Sequence, residues 1–288
     1  MAILKHETRP LHYQLLISEC DTAPIVVYFH GLLMDNLSSG YFTFADSVRQ
    51  HAHVLLFDLI GHGKSPIVTE GYRISDHLGD IARLLDVVQR ELDIHFNHPD
   101  HQSERSLIFM GCSFGGALAL ASSLSFSKAS ATILLEGHLG SEPFIRKLQL
   151  DLTAEGKQAN ELIFQHFQHW LHRGSQRKRR RLEDRARSLI TGTSLLSDLG
   201  REPLDINSLI TPKAIDLPLF GLYGTESDAL SPVLDLFQKR RNIGKGNDEL
   251  VLFKDATHAL LWEYPEQVIQ RICECVIKAQ ALQRDMIV

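Results

Sequence analysis

Short, nearly continuous apolar runs recur along the chain, each bounded by glycine, proline or polar residues. The runs Ile25–Phe29, His53–Phe57, Ser106–Met110, Ala131–Leu135, Leu217–Gly224 and Glu249–Lys254 are rich in β-branched, leucine and aromatic residues. Runs of this length predict strands, and their lack of alternation predicts burial on both faces. Longer segments with helical spacing lie between them. Leu78, Ile81, Leu84, Leu85 and Val88 place one apolar stripe on a helix over Asp76–Leu92. A small-residue helix is expected over Ala117–Ser123, and a last one from near Pro265 to about Gln283. Ile3 to Ser18 predicts an antiparallel pair turning near Arg9-Pro10, and the polar stretch Asn97–Arg105 predicts a surface loop. Alternating strand and helix predicts an α/β fold: a mostly parallel central sheet with helices on both faces.

The rhythm breaks between Gly137 and about Leu209. There the pattern is helical without strands, and Ile163, Phe167, Trp170 and Leu171 fall on one face. The expected organisation is therefore a core formed by 1–137 and 210–288, with 138–209 inserted between its halves.

Composition narrows the class of function. A chain of 288 residues that is 44% hydrophobic can bury one large core. A formal net charge of −5 gives no global pull toward nucleic acid or a membrane surface. Lys5, His6 and Glu7 interrupt the first apolar residues, so neither a signal peptide nor a membrane span is expected. Cys20, Cys112, Cys273 and Cys275 show neither metal nor disulfide spacing, which fits a reducing cytoplasm.

The candidate chemistry begins at Gly111-Cys112-Ser113-Phe114-Gly115-Gly116. A strand turning sharply into a helix through G-x-S-x-G is a nucleophile elbow, in which strain exposes the serine hydroxyl at the carboxyl edge of a sheet. Cys112, beside the nucleophile, is expected to face inward and be inert. Downstream, Thr225-Glu226-Ser227-Asp228 follows a strand and carries two carboxylates. His258 stands in a short loop between the last strand and the last helix. Upstream, the strand Ile25–Phe29 runs into His30-Gly31-Leu32, and His53–Phe57 runs into Asp58-Leu59-Ile60-Gly61-His62-Gly63-Lys64-Ser65.

Taken together and in this order, these pieces resemble the α/β-hydrolase superfamily. The resemblance implies a catalytic triad of Ser113 as nucleophile, His258 as general base and Asp228 as orienting acid. Glu226 is the rival acid in the same loop, and a carboxylate from elsewhere in the sheet is a third possibility. The amides of Leu32 and Phe114 are expected to form the oxyanion hole. Asp58 and His62 resemble a turn that is mostly structural, and His30 is expected to shape the oxyanion loop. The inserted segment is expected to be a helical lid over Ser113 that excludes water.

The implied activity is hydrolysis of an acyl ester through an acyl-enzyme, with a small-molecule substrate, no cofactor and no metal. The run Arg177–Arg181 within the inserted segment reads either as a solvated face or as a phosphate-docking patch at Arg179, Arg180 and Arg181. A docking patch would favour a thioester of coenzyme A or of an acyl carrier protein; a nuclear-localisation run is another reading. The same triad also serves C–C bond hydrolases, lyases and transferases. Binding proteins of this fold have lost a triad member, whereas all three positions are filled here.

Overall fold

The computed structural model describes residues 2–4, 9–36, 40, 43–98, 105–139, 184–185, 188–189, 192–195, 198, 209–211, 214, 216–243 and 246–287. Eight strands form one sheet: β1 (Ala2–Leu4), β2 (Leu11–Leu16), β3 (Ile25–Phe29), β4 (His53–Phe57), β5 (Leu107–Cys112), β6 (Ala129–Leu135), β7 (Leu219–Gly224) and β8 (Glu249–Phe253). Their spatial order is β1-β2-β4-β3-β5-β6-β7-β8. The β1/β2 and β2/β4 pairs are antiparallel, and every pair from β4/β3 to β7/β8 is parallel. The expected N-terminal pair and parallel sheet are thus present.

Residues alternate between the two faces along each central strand, which explains the unbroken apolar runs. Val27 and Phe29 of β3, Leu55 and Phe57 of β4 and Phe109 of β5 pack under α2 (Ile74–His95) and α3 (Phe114–Ser125). Val26, Tyr28, Val54, Leu56, Ile108 and Met110 face the other way. They pack with the short α1 (Ala45–Val48) and the C-terminal α6 (Pro265–Ile287). Helix α4 (Leu230–Ile243) covers Leu219 and Tyr223 through Val233, Leu236 and Phe237. A further short helix, α5 (Leu260–Glu263), precedes α6. Each α helix joining parallel strands brings the chain back, so the loops at the carboxyl ends of β3, β5, β6, β7 and β8 share one edge of the sheet.

The boundaries differ from expectation at the elbow. Strand β5 continues through Cys112 and α3 begins at Phe114, so no residue but Ser113 separates them. Gly115 and Gly116 are already helical; low propensity yields there to close packing. Buried cations hold the loops on the opposite side. Arg105 pairs with Asp93 at 2.9 Å and with Asp21 at 2.6 Å. Arg240 binds Asp248 at 2.6 Å and donates to the carbonyls of Leu209, Ala214 and Leu217.

The C-terminal part of the inserted segment is tied to the core. Leu189 and Leu195 join the cluster under α2 and α3. Arg185 donates to the Gly61 carbonyl at 2.9 Å and to the Ser65 carbonyl, and the Ser194 amide donates to Thr69 at 2.8 Å. Asp198 accepts the Tyr72 amide at 3.1 Å. Arg179, Arg180, Arg181, Ile163, Phe167, Trp170 and Leu171 lie outside the described residues. No helix among the described residues is long and apolar enough to cross a membrane.

Two buried histidines give the fold an acid limit. Burial, the largest cause in each case, lowers His53 and His77 from the ordinary 6.5 to about 4. Both are therefore neutral when folded, while the unfolded chain takes up protons as pH falls through 6.5. Their contribution is full above that value, is lost as pH falls toward 4, and levels off below. For the fully buried His77 the loss is about 3 kcal/mol. Urea midpoints measured from pH 7 to pH 4 should fall steadily, and His77→Leu should flatten that slope.

Candidate active site

Ser113 occupies a backbone conformation that L-residues rarely adopt, with φ 53° and ψ −123°. Strain of this kind costs on the order of 1–3 kcal/mol and persists only where the surroundings enforce it. Close packing does so here. A methyl group on Gly111 would lie 2.0 Å from the Gly115 carbonyl oxygen, and one on Gly115 would lie 2.2 Å from that of Phe29. The helix start is therefore pressed onto the ends of β5 and β3, a contact that only glycine permits. Hydrogen bonds then fix the turn: the Gly116 amide donates to the Ser113 carbonyl at 2.9 Å, and the Ser113 amide donates to Leu135 at 3.3 Å.

The loop after β3 passes directly over the serine. A methyl group placed on Gly31 would lie 3.3 Å from the Ser113 Cβ. The buried His30 ring shapes this loop. Its Nδ1 donates to the Gly31 carbonyl at 2.8 Å, and its Nε2 accepts the Leu59 amide at 3.0 Å. Both ring nitrogens are thus committed in the neutral tautomer, and burial keeps the ring's pKa below its ordinary value despite Asp58 nearby. Asp58 ties the same loop to the following turn. Its Oδ1 accepts the Asn36 amide at 3.0 Å, and its Oδ2 accepts the Lys64 amide at 2.8 Å. His62 donates from Nδ1 to the Ile60 carbonyl at 3.0 Å, and burial holds its pKa well below the usual range. These three residues build the loop and turn, as the sequence led us to expect.

Leu32 follows Gly31 in this loop, and Phe114 opens α3. Neither amide has a hydrogen-bond acceptor among the described residues. The Phe114 amide also stands at the positive end of the α3 dipole.

His258 lies in the loop after β8, with its side chain 20% exposed. The loop is braced by Glu263, whose carboxylate accepts the Thr257 amide at 2.8 Å and the Thr257 hydroxyl at 2.7 Å. His258 Nδ1 donates to a carboxylate at 3.2 Å, and that carboxylate belongs to Glu136. This departs from the sequence expectation of Asp228. Asp228 lies at the exposed turn opening α4, within 4.8 Å of His258, but no hydrogen bond or ion pair joins them. The rival, Glu226, is exposed and its side chain accepts from the Thr225 hydroxyl at 3.5 Å.

Glu136 is the residue that sequence reasoning passed over. It follows β6 directly and is 1% exposed. Like Ser113 it has a positive φ, 53°. Its Oε1 accepts the Gly224 amide at 2.5 Å, and its Oε2 accepts both the Ser227 hydroxyl and His258. Two backbone bonds link this residue's turn to Ser113: the Ser113 amide donates to Leu135, and the His138 amide donates to the Ser113 carbonyl at 2.8 Å. They bracket Glu136 and Gly137, so the carboxylate is registered against the elbow. The physical reason for the difference is solvation. A buried carboxylate holding three donors is fixed and dehydrated, whereas Asp228 is open to solvent. The available signal was Leu134-Leu135-Glu136-Gly137-His138, a carboxylate at the end of a core strand adjacent to the elbow strand.

His138 also enters the site, with its ring 5.0 Å from that of His258. Cys112 points into the face beneath α6. Burial, and secondarily the Glu136 charge, push its thiol up to about 12, so it is protonated and inert at neutral pH.

An alanine at position 115 must displace the Phe29 carbonyl or the start of α3. Gly115→Ala is expected to destabilise the fold by about 3 kcal/mol or more, read as a fall in thermal midpoint or as loss of soluble protein.

The model of the alpha/beta hydrolase family matches residues 26–271. Among solved structures, the chain is similar to an enol-lactonase from Burkholderia xenovorans LB400 at TM-score 0.67 and 17% identity, covering 96% of this chain and 100% of that one. A hydrolase from Pseudomonas aeruginosa PA01 aligns at TM-score 0.70 and 16% identity, covering 96% and 97%. A thermophilic esterase from Thermogutta terrifontis aligns at 0.64 and 19%, covering 97% and 99%. No curated protein matches the sequence significantly.

Proposed function

The chain belongs to the alpha/beta hydrolase family, and from that premise we propose that it is a serine hydrolase of small carboxylic esters, with Ser113, His258 and Glu136 as its triad. The observation that carries this reading is the buried Glu136 carboxylate holding His258 Nδ1 at 3.2 Å, on a turn whose backbone is hydrogen-bonded to that of a strained serine. With the proton on Nδ1, Nε2 is the basic nitrogen. It takes the Ser113 proton as the oxygen attacks the acyl carbon. The imidazolium that results faces a carboxylate already stripped of water, so its charge is stabilised without reorganisation. The Leu32 and Phe114 amides would then bind the oxyanion. Their lack of other acceptors among the described residues supports that assignment, since an amide already bonded within the protein could not also bind substrate.

Collapse of the tetrahedral intermediate expels the alcohol, protonated by His258, and leaves the acyl group on Ser113. Water then attacks with His258 as base, and the acid is released. The inserted segment is read as a lid; its C-terminal part leans on the Gly61–Ser65 turn through Arg185, beside the oxyanion loop. The lactonase and esterase activities named for the similar structures agree with an ester substrate. A thioester has only Arg179–Arg181 in its favour, and an ester is the simpler reading.

Two measurements test this. Incubation with an activated ester should add one acyl mass to the wild-type chain and none to Ser113→Ala; equal labelling of both would remove Ser113 from the mechanism. The second separates the two carboxylates. Glu136→Gln should lower kcat by about 10³- to 10⁴-fold, as expected when a triad acid is neutralised, while Asp228→Asn should stay within about threefold of wild type. The reverse pattern would return the acid to the loop after β7.

A further inference from the structure

Three metal-ligating side chains converge on the catalytic edge from three different strand ends. His138 follows β6, Asp228 follows β7 and His258 follows β8. One ligand atom from each lies within 4.8 Å of the other two. His138 is buried, His258 is half-buried and Asp228 is exposed. Two imidazoles and a carboxylate form a donor set that suits a borderline divalent cation such as zinc and is poorly matched to magnesium, which prefers oxygen ligands alone.

The geometry points to an inhibitory zinc site formed by His138, Asp228 and His258. Tetrahedral zinc holds its nitrogen and oxygen ligands about 3.4 Å apart. Closing from the present spread requires a movement of about 1 Å, which the exposed Asp228 side chain can supply by changing rotamer. The two histidines are better fixed: the His138 backbone is bonded to Ser113, and His258 is held by Glu136. Among the described residues Asp228 makes no hydrogen bond or ion pair that would have to be broken, and its exposure gives the ion a way in from solvent.

Binding there stops turnover whichever nitrogen of His258 is taken. A metal on Nε2 occupies the lone pair that must accept the serine proton. A metal on Nδ1 displaces that nitrogen from Glu136 and forces the proton onto Nε2, which can then no longer act as a base. In both cases zinc competes with a proton for His258, so a cation with no role in the reaction becomes its inhibitor. This also gives Asp228 a function that does not depend on a place in the triad.

The inhibitory part rests on His258 being the general base, as proposed above; the binding part does not. Binding is therefore measured by calorimetry with zinc chloride on Ser113→Ala protein, which needs no turnover. One zinc ion per chain is expected, with affinity lowered tenfold or more by adding either His138→Ala or Asp228→Asn, and no comparable heat from magnesium. Zinc held by other histidines of the chain is a contribution that these substitutions leave unchanged. In wild type, zinc should inhibit ester hydrolysis and EDTA should restore it, while Asp228→Asn should turn over normally and need tenfold more zinc for the same inhibition. Absence of saturable binding, or affinity unchanged in both substitutions, overturns the site. Site-specific binding that leaves wild-type turnover intact overturns the inhibition. A wild type that binds zinc as expected but hydrolyses no ester counts against the hydrolase reading and leaves the metal site standing.

Discussion

The catalytic edge depends on one buried negative charge. Glu136 lies at the end of a core strand, where an unpaired carboxylate would be prohibitively costly. Its oxygens collect a backbone amide from the end of β7, a hydroxyl from the loop that follows, and an imidazole from the loop after β8. Each donor is drawn to the charge, and together they hold the loops after β7 and β8 in register with the turn after β6. Its own backbone turn is fixed to the elbow on either side by Ser113. The same interaction thus organises the edge and orients the histidine.

Around that charge, close packing sets the remaining positions. The elbow is held by backbone pressed against backbone at Gly111 and Gly115, and the loop after β3 by a histidine whose tautomer is determined by its two neighbours. Asp58 links that loop to the turn on which Arg185 of the inserted segment rests. A continuous set of polar contacts therefore runs from the inserted segment through the turn to the loop above the nucleophile.

Much of this was legible in the sequence. The strand runs were visible because a parallel sheet is buried on both faces, so Val26 and Val27 are apolar for opposite reasons. Ser113 was legible because its turn leaves a glycine signature, and His258 because of its place between a strand and a helix. The carboxylate that holds His258 was not, for a physical reason. Glu226, Asp228 and Glu136 all stand just after strands, and spacing alone does not tell which side chain is buried. That depends on β6 lying between β5 and β7, a tertiary fact. The ends of α3 also escaped, because Gly115 and Gly116 argue against helix locally and are overruled by packing.

The placement of Glu136 at the end of β6 has a consequence for how this scaffold can change. His258 is approached by carboxylates from two neighbouring strands, one enclosed and one facing solvent. A chain with both can lose either in a single substitution and keep a partner for its histidine close at hand. The task of holding the histidine can then pass between adjacent loops by small steps, through intermediates that never lack a carboxylate. With the histidine held from the enclosed strand, the exposed position 228 becomes a place where new contacts at the mouth of the site can be tried without disturbing the hydrogen bonds beneath.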